Sequence, residues 1–358
     1  MKKVRAIQII DSLNLGGAET LAVNIANALY DEGYQSFICA TRKEGDLKES
    51  IAENVGYLFL ARKSKLDFSA IVKLYKYIKK NQINIIHAHS TSILIATIVK
   101  FFLGKKVKLI WHVHSGAYIH LRGIKLTVFQ LCSYKISSII TVNQKLLEWS
   151  KKMHSKQTTL LHNFPSFVNK GKKTILKGKE GKRIISVAGL RKEKDHLMLL
   201  KSFSLIKDQV KDWTLHIVGR DYQDQYSRNL YEYVKENNLE AKIFFYGAVT
   251  DVEYVLSQAD IGVLSSESEG FPISIVEYGL MKLPVLVTDV GELKVIVDDD
   301  RVVSEPKSEM EYSQKLKVLI EDKAFREEIS TKFHKKVEKE YSKKSFLEKL
   351  LNTYKNEC

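Results

Sequence analysis

Short apolar runs along this chain alternate with segments whose apolar residues recur at helical spacing. Val4–Ile10 has the composition of a buried strand and leads through Asn14-Leu15-Gly16-Gly17 into Ala18–Asp31. There Leu21, Ile25, Ala28 and Leu29 fall on one helical face, and Gly33 supplies the stop. Gln35–Ala40 predicts a second strand, Phe68–Lys80 an amphipathic helix and Ile83–Ile86 a strand. Ser92–Leu103 follows as a helix and Val107–Trp111 as a strand. Alternation of this kind specifies an α/β domain with a parallel sheet and helices on both faces.

Between His162 and Arg183 the rhythm stops. Pro165, Gly171, Gly178 and Gly181 stand among lysines, and residues 166–182 read as a linker. The alternation resumes with strand Arg183–Ala188, helix Asp195–Lys207, strand Thr214–Val218, helix Asp221–Asn237 and strand Ile243–Tyr246. Helix Asp251–Gln258, strand Ile261–Leu264, helix Pro272–Leu280 and strand Val285–Thr288 complete it, and charge-rich helical segments fill Glu309–Lys355. A length of 358 residues exceeds one ordinary core. Two doubly wound domains are expected, over 1–165 and 183–341, with the strand C-termini of each facing a cleft where ligands bind.

The net charge of +15 is unevenly spread: residues 1–165 hold 24 basic and 10 acidic side chains, the remainder 33 and 32. The first half is therefore the part expected to meet something anionic. Cys39, Cys132 and Cys358 are odd in number and far apart, which fits neither a disulfide framework nor a zinc pattern and points to a reducing cytoplasm. Asp11 ends the first apolar run too early for a signal peptide. The longest apolar stretch, Ile93–Leu103, is too short to span a bilayer and is broken by Lys100.

Three segments at strand ends carry candidate chemistry. Gly16-Gly17 lets backbone N–H groups at a helix start approach a phosphate or sugar, or serves as a tight turn; it is not a G-x-G-x-x-G fingerprint. Arg191-Lys192-Glu193-Lys194 suits a diphosphate, or is a solvated charge run. In Ser265–Glu277, Glu269 falls in the loop after a strand and Glu277 inside the helix that Pro272 opens. The helix start suits a phosphate; Glu269 could hold sugar hydroxyls and Glu277 a ribose diol, since carboxylates accept paired O–H donors.

In order along the chain, these segments resemble glycosyltransferase family 4, the retaining enzymes of GT-B fold. Glu269-Gly270-Phe271-Pro272 followed by Glu277 resembles the family's E-G-F-P-x4-E signature, and Ser186–Lys194 its phosphate loop. Leu215–Gly219 resembles the next strand, and Phe244–Val249 the turn bordering the base. Gly16-Gly17-Ala18-Glu19 matches the N-terminal loop, and Trp111–Ser115 the strand ending in a functional histidine. The resemblance implies four catalytic residues: Arg191 and Lys194 neutralise the departing diphosphate, Glu269 holds the donor sugar and His114 reaches a sugar hydroxyl. It implies donor binding by Gly16, Gly17, Gly219, Val249, the backbone of Gly270, Phe271, Pro272, Ile273 and Ser274, and by Glu277 at the ribose. It further implies front-face attack without metal or other cofactor, the cationic pair acting in a metal's place. The donor would be a nucleotide sugar, of the UDP type, and the acceptor a lipid-linked glycan in cell-surface polysaccharide synthesis. A C-terminal helix over 342–358 would pack back onto the first domain. The family's Gly-Gly-x-x-Glu reads Val290-Gly291-Glu292-Leu293-Lys294-Val295 here, without the usual acid near Val295, and the loop Asp298–Arg301 is short.

His87, His89, His112 and His114 alternate along two strands and could form a metal site, but they lack a carboxylate at ligand spacing and no metal is expected. His87 and His112 read as structural, and Asp298-Asp299-Asp300 as a solvated loop. Lys105, Lys106, Lys108, Arg122 and Lys125, beside Leu126, Val128 and Phe129, form a basic-apolar surface suited to an anionic membrane and a lipid-linked acceptor. Two rivals remain: a transferase with a soluble or protein acceptor, and a basic nucleic-acid binder. The second lacks the aromatic-basic interleaving of RNA readers.

Overall fold

The computed structural model describes residues 4–14, 16–64, 66–120, 122–153, 157–167 and 173–355. They form two compact units, Met1–Asn163 with Phe346–Cys358, and Phe164–Ser345. The first contains β1 (Arg5–Ser12), α1 (Gly17–Asp31), β2 (Gln35–Lys43), β3 (Gly56–Phe59), α2 (Phe68–Lys80) and β4 (Ile85–His89). It continues with α3 (Ile93–Leu103), β5 (Lys108–Val113), α4 (Gly123–Ser133), β6 (Ser138–Thr141), α5 (Gln144–Met153) and β7 (Thr158–Leu160). The second contains β8 (Arg183–Val187), α6 (His196–Ile206), β9 (Thr214–Val218), α7 (Gln225–Glu236), β10 (Ile243–Phe245), α8 (Val252–Leu256) and β11 (Ile261–Leu264). It ends with α9 (Ile273–Leu280), β12 (Val285–Thr288), α10 (Leu293–Val297), β13 (Val303–Ser304), α11 (Glu309–Glu321) and α12 (Lys323–Tyr341), after which α13 (Lys343–Lys355) rejoins the first unit.

Among the described residues every strand pairing is parallel, in the orders β3-β2-β1-β4-β5-β6-β7 and β10-β9-β8-β11-β12-β13. The central strands are buried on both faces, which is why they read as apolar runs. Helices present one apolar stripe each: α2 buries Ile71, Leu74 and Ile78 and is capped by Asp67, whose carboxylate accepts from the Ala70 N–H at 3.1 Å. On α13, Phe346, Leu347, Leu350 and Tyr354 are buried. Strand order reverses between β1 and β4 and again between β8 and β11. Loops leaving those neighbouring strands diverge, so each reversal opens a crevice at the strand C-termini.

Part of the stretch read as a linker is structure of the second unit. Leu176 is buried in that unit's core, and its N–H donates to Gln258 Oε1 at 3.1 Å. Thr174 Oγ1 donates to Asp251 Oδ1 at 3.0 Å. The buried Leu176 side chain and the hydrogen bonds to Asp251 and Gln258 together dock this segment. In the acidic triplet Asp298 and Asp300 are exposed, as expected of a solvated loop, with Lys336 and Lys294 nearby, while the Asp299 side chain is 8% exposed and receives Arg301 and Lys332.

Candidate active site

In the second unit the crevice lies between the loops that leave β8 and β11. The loop after β8 carries Arg191 and a tight turn over Lys192–Lys194. Asp195 then takes a left-handed conformation, φ 44°, and caps α6 by accepting from the Met198 N–H. The loop after β11 is stapled onto this turn. The N–H groups of Glu267 and Ser268 donate to the Glu193 carbonyl at 2.9 and 3.3 Å. Ser265 Oγ contacts the carbonyls of Lys194 and Asp195, and Thr288 Oγ1 of β12 donates to the Ser266 carbonyl at 2.6 Å.

This stapling brings Lys194 Nζ to 2.5 Å from Glu269 Oε1, which also accepts from Ser266 Oγ at 2.6 Å. The Glu269 side chain is 6% exposed and that of Lys194 22%, so the pair is partly shielded from water and stronger than an exposed one. Arg191 does not share this partner. Its guanidinium stacks over the Tyr222 ring at 4.7 Å and donates to the phenol oxygen, while Arg220 approaches the same ring at 5.2 Å. The two cations expected to act as one pair are thus held separately, one by a carboxylate and one by an aromatic ring.

Helix α9 starts at Ile273 with Pro272 in the cap position and no side chain capping it. Its first N–H groups are of the kind that receive an anion. The Phe271 ring packs on Tyr341, 5.6 Å between centroids. Glu277, one turn on, is half-buried with no hydrogen-bond or ion-pair partner among the described residues, and burial pushes its carboxyl up to about 7.

Two glycines hold this geometry. A Cβ on Gly219 would lie 2.0 Å from the Ala188 carbonyl oxygen, so the ends of β8 and β9 can close only over glycine. The Gly219 N–H also donates to the Gly247 carbonyl at 2.9 Å, and Val249 beyond it packs against the core. Gly291 has φ +59°, and a Cβ there would come within 2.3 Å of the Glu269 carbonyl oxygen. The segment Val290–Val295 therefore braces the Glu269 loop. Val295 itself is exposed, and Lys294 pairs with Asp289 and Asp300.

In the first unit, β4 and β5 lie beside the reversal, with His89 opposite His112 in register. His87, His89, His112 and His114 form a ladder of rings with neighbouring centroids 4.2–5.3 Å apart. His87 Nδ1 lies 2.8 Å from the Tyr354 hydroxyl and its Nε2 3.1 Å from His112 Nδ1. His89 Nε2 lies 2.9 Å from Gln8 Oε1, and its Nδ1 2.9 Å from His114 Nε2. Burial pushes His87 and His114 down to about 3 and the other two well below the usual range, so the ladder is neutral at pH 7. His87, His89 and His112 are close enough to share a metal ion, yet their nitrogens are taken by one another, Gln8 and Tyr354, except His112 Nε2, which is buried without a partner. Gly16 caps α1 in an extended conformation with no side-chain cap, and the space beside Gly17 is open.

Residues 15–164 match the family model described as "Glycosyltransferase Family 4", and residues 168–336 the one described as "Glycosyl transferases group 1". The chain belongs to glycosyltransferase family 4. An uncharacterized glycosyltransferase of Haemophilus influenzae is 25% identical over 291 residues, 80% of each chain. The UDP-Gal:alpha-D-GlcNAc-diphosphoundecaprenol alpha-1,3-galactosyltransferase of Escherichia coli is 23% identical over 83% of this chain and 82% of its own. The crystal structure of Anabaena Alr3699/HepE in complex with UDP and glucose matches with a TM-score of 0.77 at 17% identity, covering 98% of this chain and 99% of that one. The two Rossmann-like units of this family 4 glycosyltransferase are those of the GT-B fold. Tyr222 meets Arg191, Ser266 meets Glu269 and Gln8 meets His89, and the sequence alone singled out none of these three partners. A polar residue at a strand end or inside an apolar strand, as Gln8 is in β1, was the available hint.

Proposed function

We propose that this glycosyltransferase is a retaining, metal-independent enzyme that moves a hexose or N-acetylhexosamine from a UDP-sugar onto a lipid-linked glycan in cell-surface polysaccharide synthesis. The observation that carries the reading is the Lys194–Glu269 pair, fixed at the ends of β8 and β11 beside the uncapped start of α9. A diphosphate seated on that helix start would meet Lys194 and Arg191, whose charge offsets the negative charge that grows as the sugar–phosphate bond breaks. Glu269 accepts O–H donors of the sugar, and Glu277 those of the ribose. The acceptor hydroxyl attacks the same face that the diphosphate leaves, and its proton passes to a departing phosphate oxygen. No side-chain nucleophile and no metal take part, and no nucleic acid is a partner. The UDP donor and lipid diphosphate acceptor are supported by the names of the Escherichia coli and Anabaena relatives. The test is transfer in excess EDTA with the product anomer read by NMR: retained configuration and an unchanged rate are expected, whereas inversion or loss of activity would overturn the mechanism.

Glu277 supplies a pH signature. Its free carboxyl titrates near 7, and a ribose diol would bind the charged form. UDP affinity should therefore rise between about pH 6 and pH 8, with proton release on binding, and Glu277→Gln should remove that slope. Stability runs the other way: the native state keeps a proton that the unfolded chain has lost, so stability falls as pH climbs from the ordinary carboxylate range through 7. Calorimetry in buffers of different ionisation enthalpy reads the proton directly, and a pH-independent affinity would sink the Glu277 assignment.

No helix among the described residues is long and apolar enough to cross a membrane. Contact with the cytoplasmic membrane face is proposed through α3 and α4 instead. Phe101, Phe102, Leu131 and Tyr134 are each more than 60% exposed, and Val128 joins Phe101, Phe102 and Leu131 around a shared groove. Lys105 and Lys106 are exposed nearby, Lys135 lies over the Phe101 ring, and Arg122 opens α4. Lys108 is not part of this rim, since its Nζ donates to the Tyr354 carbonyl at 2.9 Å, and the Lys125 side chain lies outside the described residues. Aromatic and aliphatic side chains flanked by lysines match an anionic lipid surface. Phe101→Ser with Leu131→Ser should abolish sedimentation with anionic vesicles and leave transfer in detergent intact; undiminished sedimentation would remove this face from the proposal.

A further inference from the structure

We propose that Gln8, His89 and Tyr354 form a relay that locks His114 as its Nε2–H tautomer and so presents Nδ1 as a hydrogen-bond acceptor for a ligand hydroxyl. The inference rests on the reading that His114 meets a sugar, and adds which atom it offers and what fixes that choice.

The direction of every bond follows from one end. The Gln8 amide lies with Nε2 3.4 Å from the Tyr354 hydroxyl and Oε1 2.9 Å from His89 Nε2. An amide oxygen only accepts, so His89 must donate from Nε2. A neutral imidazole has one N–H, which leaves His89 Nδ1 bare. His114 Nε2, 2.9 Å away, must then carry the proton and donate it. With Nε2 protonated and the ring neutral, His114 Nδ1 is a bare acceptor. Burial keeps both rings neutral and prevents a second proton from erasing this order.

With the amide lying this way, the Tyr354 hydroxyl completes the chain. Its oxygen receives the Gln8 NH2 while its proton faces His87 Nδ1 at 2.8 Å. His87 then donates from Nε2 to His112 Nδ1 at 3.1 Å, a second arm that ends on the unpartnered His112 Nε2. A flipped Gln8 amide would reverse the first arm and present His114 with Nδ1 protonated, a donor instead of an acceptor. Tyr354 lies on α13, at the far end of the chain, and Gln8 in the first strand. Gln8 and His89 are fully buried and reach a ligand only through His114, so they act as positioning residues. His114 is only partly buried and has no protein partner for Nδ1 among the described residues.

The chemistry that fits a bare, neutral Nδ1 is a hydroxyl that donates. A donor sugar whose contacting hydroxyl is replaced by fluorine, which has no proton to give, should lose that contact.

The test uses the full-length protein with 15N-labelled histidine, the His114 signal being assigned by its absence in His114→Ala. In wild type the 15N shifts should report Nε2 protonated and Nδ1 bare. Gln8→Leu and Tyr354→Phe, the second keeping the buried ring, should both shift His114 toward a tautomer mixture. Both should raise KM for the donor sugar about 3- to 10-fold, the loss of one neutral hydrogen bond, with kcat less affected. A wild-type His114 protonated at Nδ1, or a tautomer unmoved in both variants, would overturn the proposal. Unchanged turnover in His114→Ala with the tautomer as described would instead overturn the sugar-contact reading, so the two failures are told apart.

Discussion

Glu269→Gln should give a folded protein whose transfer rate is at least ~10²-fold below wild type, the scale of losing one preorganised charge-stabilising group. The amide keeps the shape of the carboxylate and can still accept from Ser266 Oγ, so the loop need not move. What disappears is the negative charge that pairs with Lys194 and that the proposed function sets against the sugar hydroxyls. Lys194→Ala should lose a similar factor for a different reason, since under the proposed function the departing diphosphate loses a cation. It should also cost about 2 kcal/mol of stability, because a carboxylate 6% exposed is left with one hydroxyl partner. Glu269→Ala carries the smaller stability penalty, as Lys194 retains a path to water. Steady-state kinetics and thermal melts of the two variants separate these effects; wild-type turnover in Glu269→Gln would remove the residue from the mechanism.

Gly219→Ala should be the most damaging single methyl group in the second unit. The added carbon would sit 2.0 Å from one backbone oxygen and 2.4 Å from the carbon bearing it, and neither can rotate away. Either β9 slides from β8 or the turn at Ala188-Gly189 opens, and both break the Leu190 N–H to Arg220 carbonyl bond of 2.9 Å that holds the cation loop. A loss of about 2–4 kcal/mol is expected from such overpacking, which corresponds to a fall in Tm of roughly 5–15 °C for a unit of this size. Nucleotide binding should fail with it, since Arg191 follows that turn. Gly17→Ala is the control, with nothing within 4 Å of its added Cβ. Equal melting temperatures for the two variants would contradict the packing argument.

The strands at the centres of both sheets were legible because burial on two faces demands apolar runs, as in Ile85–His89 and Ile261–Leu264. The edge strands β3, β7 and β13, and β6 beside β7, were not, being two to four residues long and lacking periodicity. Helices α4 and α5 were passed over too. In α4 apolar side chains are exposed as well as buried, which blurs the stripe. Among site residues, Glu269, Lys194 and Glu277 stood out because their segments resemble the family's signature and phosphate loop; charge and spacing alone left a solvated run equally open. Tyr222 and Ser266 did not, since a tyrosine or serine in a loop is unremarkable until the fold sets Arg191 or Glu269 against it. The pairing of Lys194 with Glu269 depends on the staple between the Glu193 carbonyl and the Glu267 and Ser268 amides, a backbone contact that side-chain identity does not announce. Gly291 stood in a segment that departs from the family pattern, yet its missing side chain is what allows the Glu269 loop to lie against it.

The most direct test of a donor site built around Lys194 is calorimetric titration of UDP, GDP and ADP in excess EDTA, into wild type and into Arg191→Ala with Lys194→Ala. Metal-free binding of UDP in preference to the other two, lost in the double variant while its melting curve stays cooperative, is the expected result. Binding of UDP with equal affinity to both proteins, or none to wild type without added metal, would contradict it.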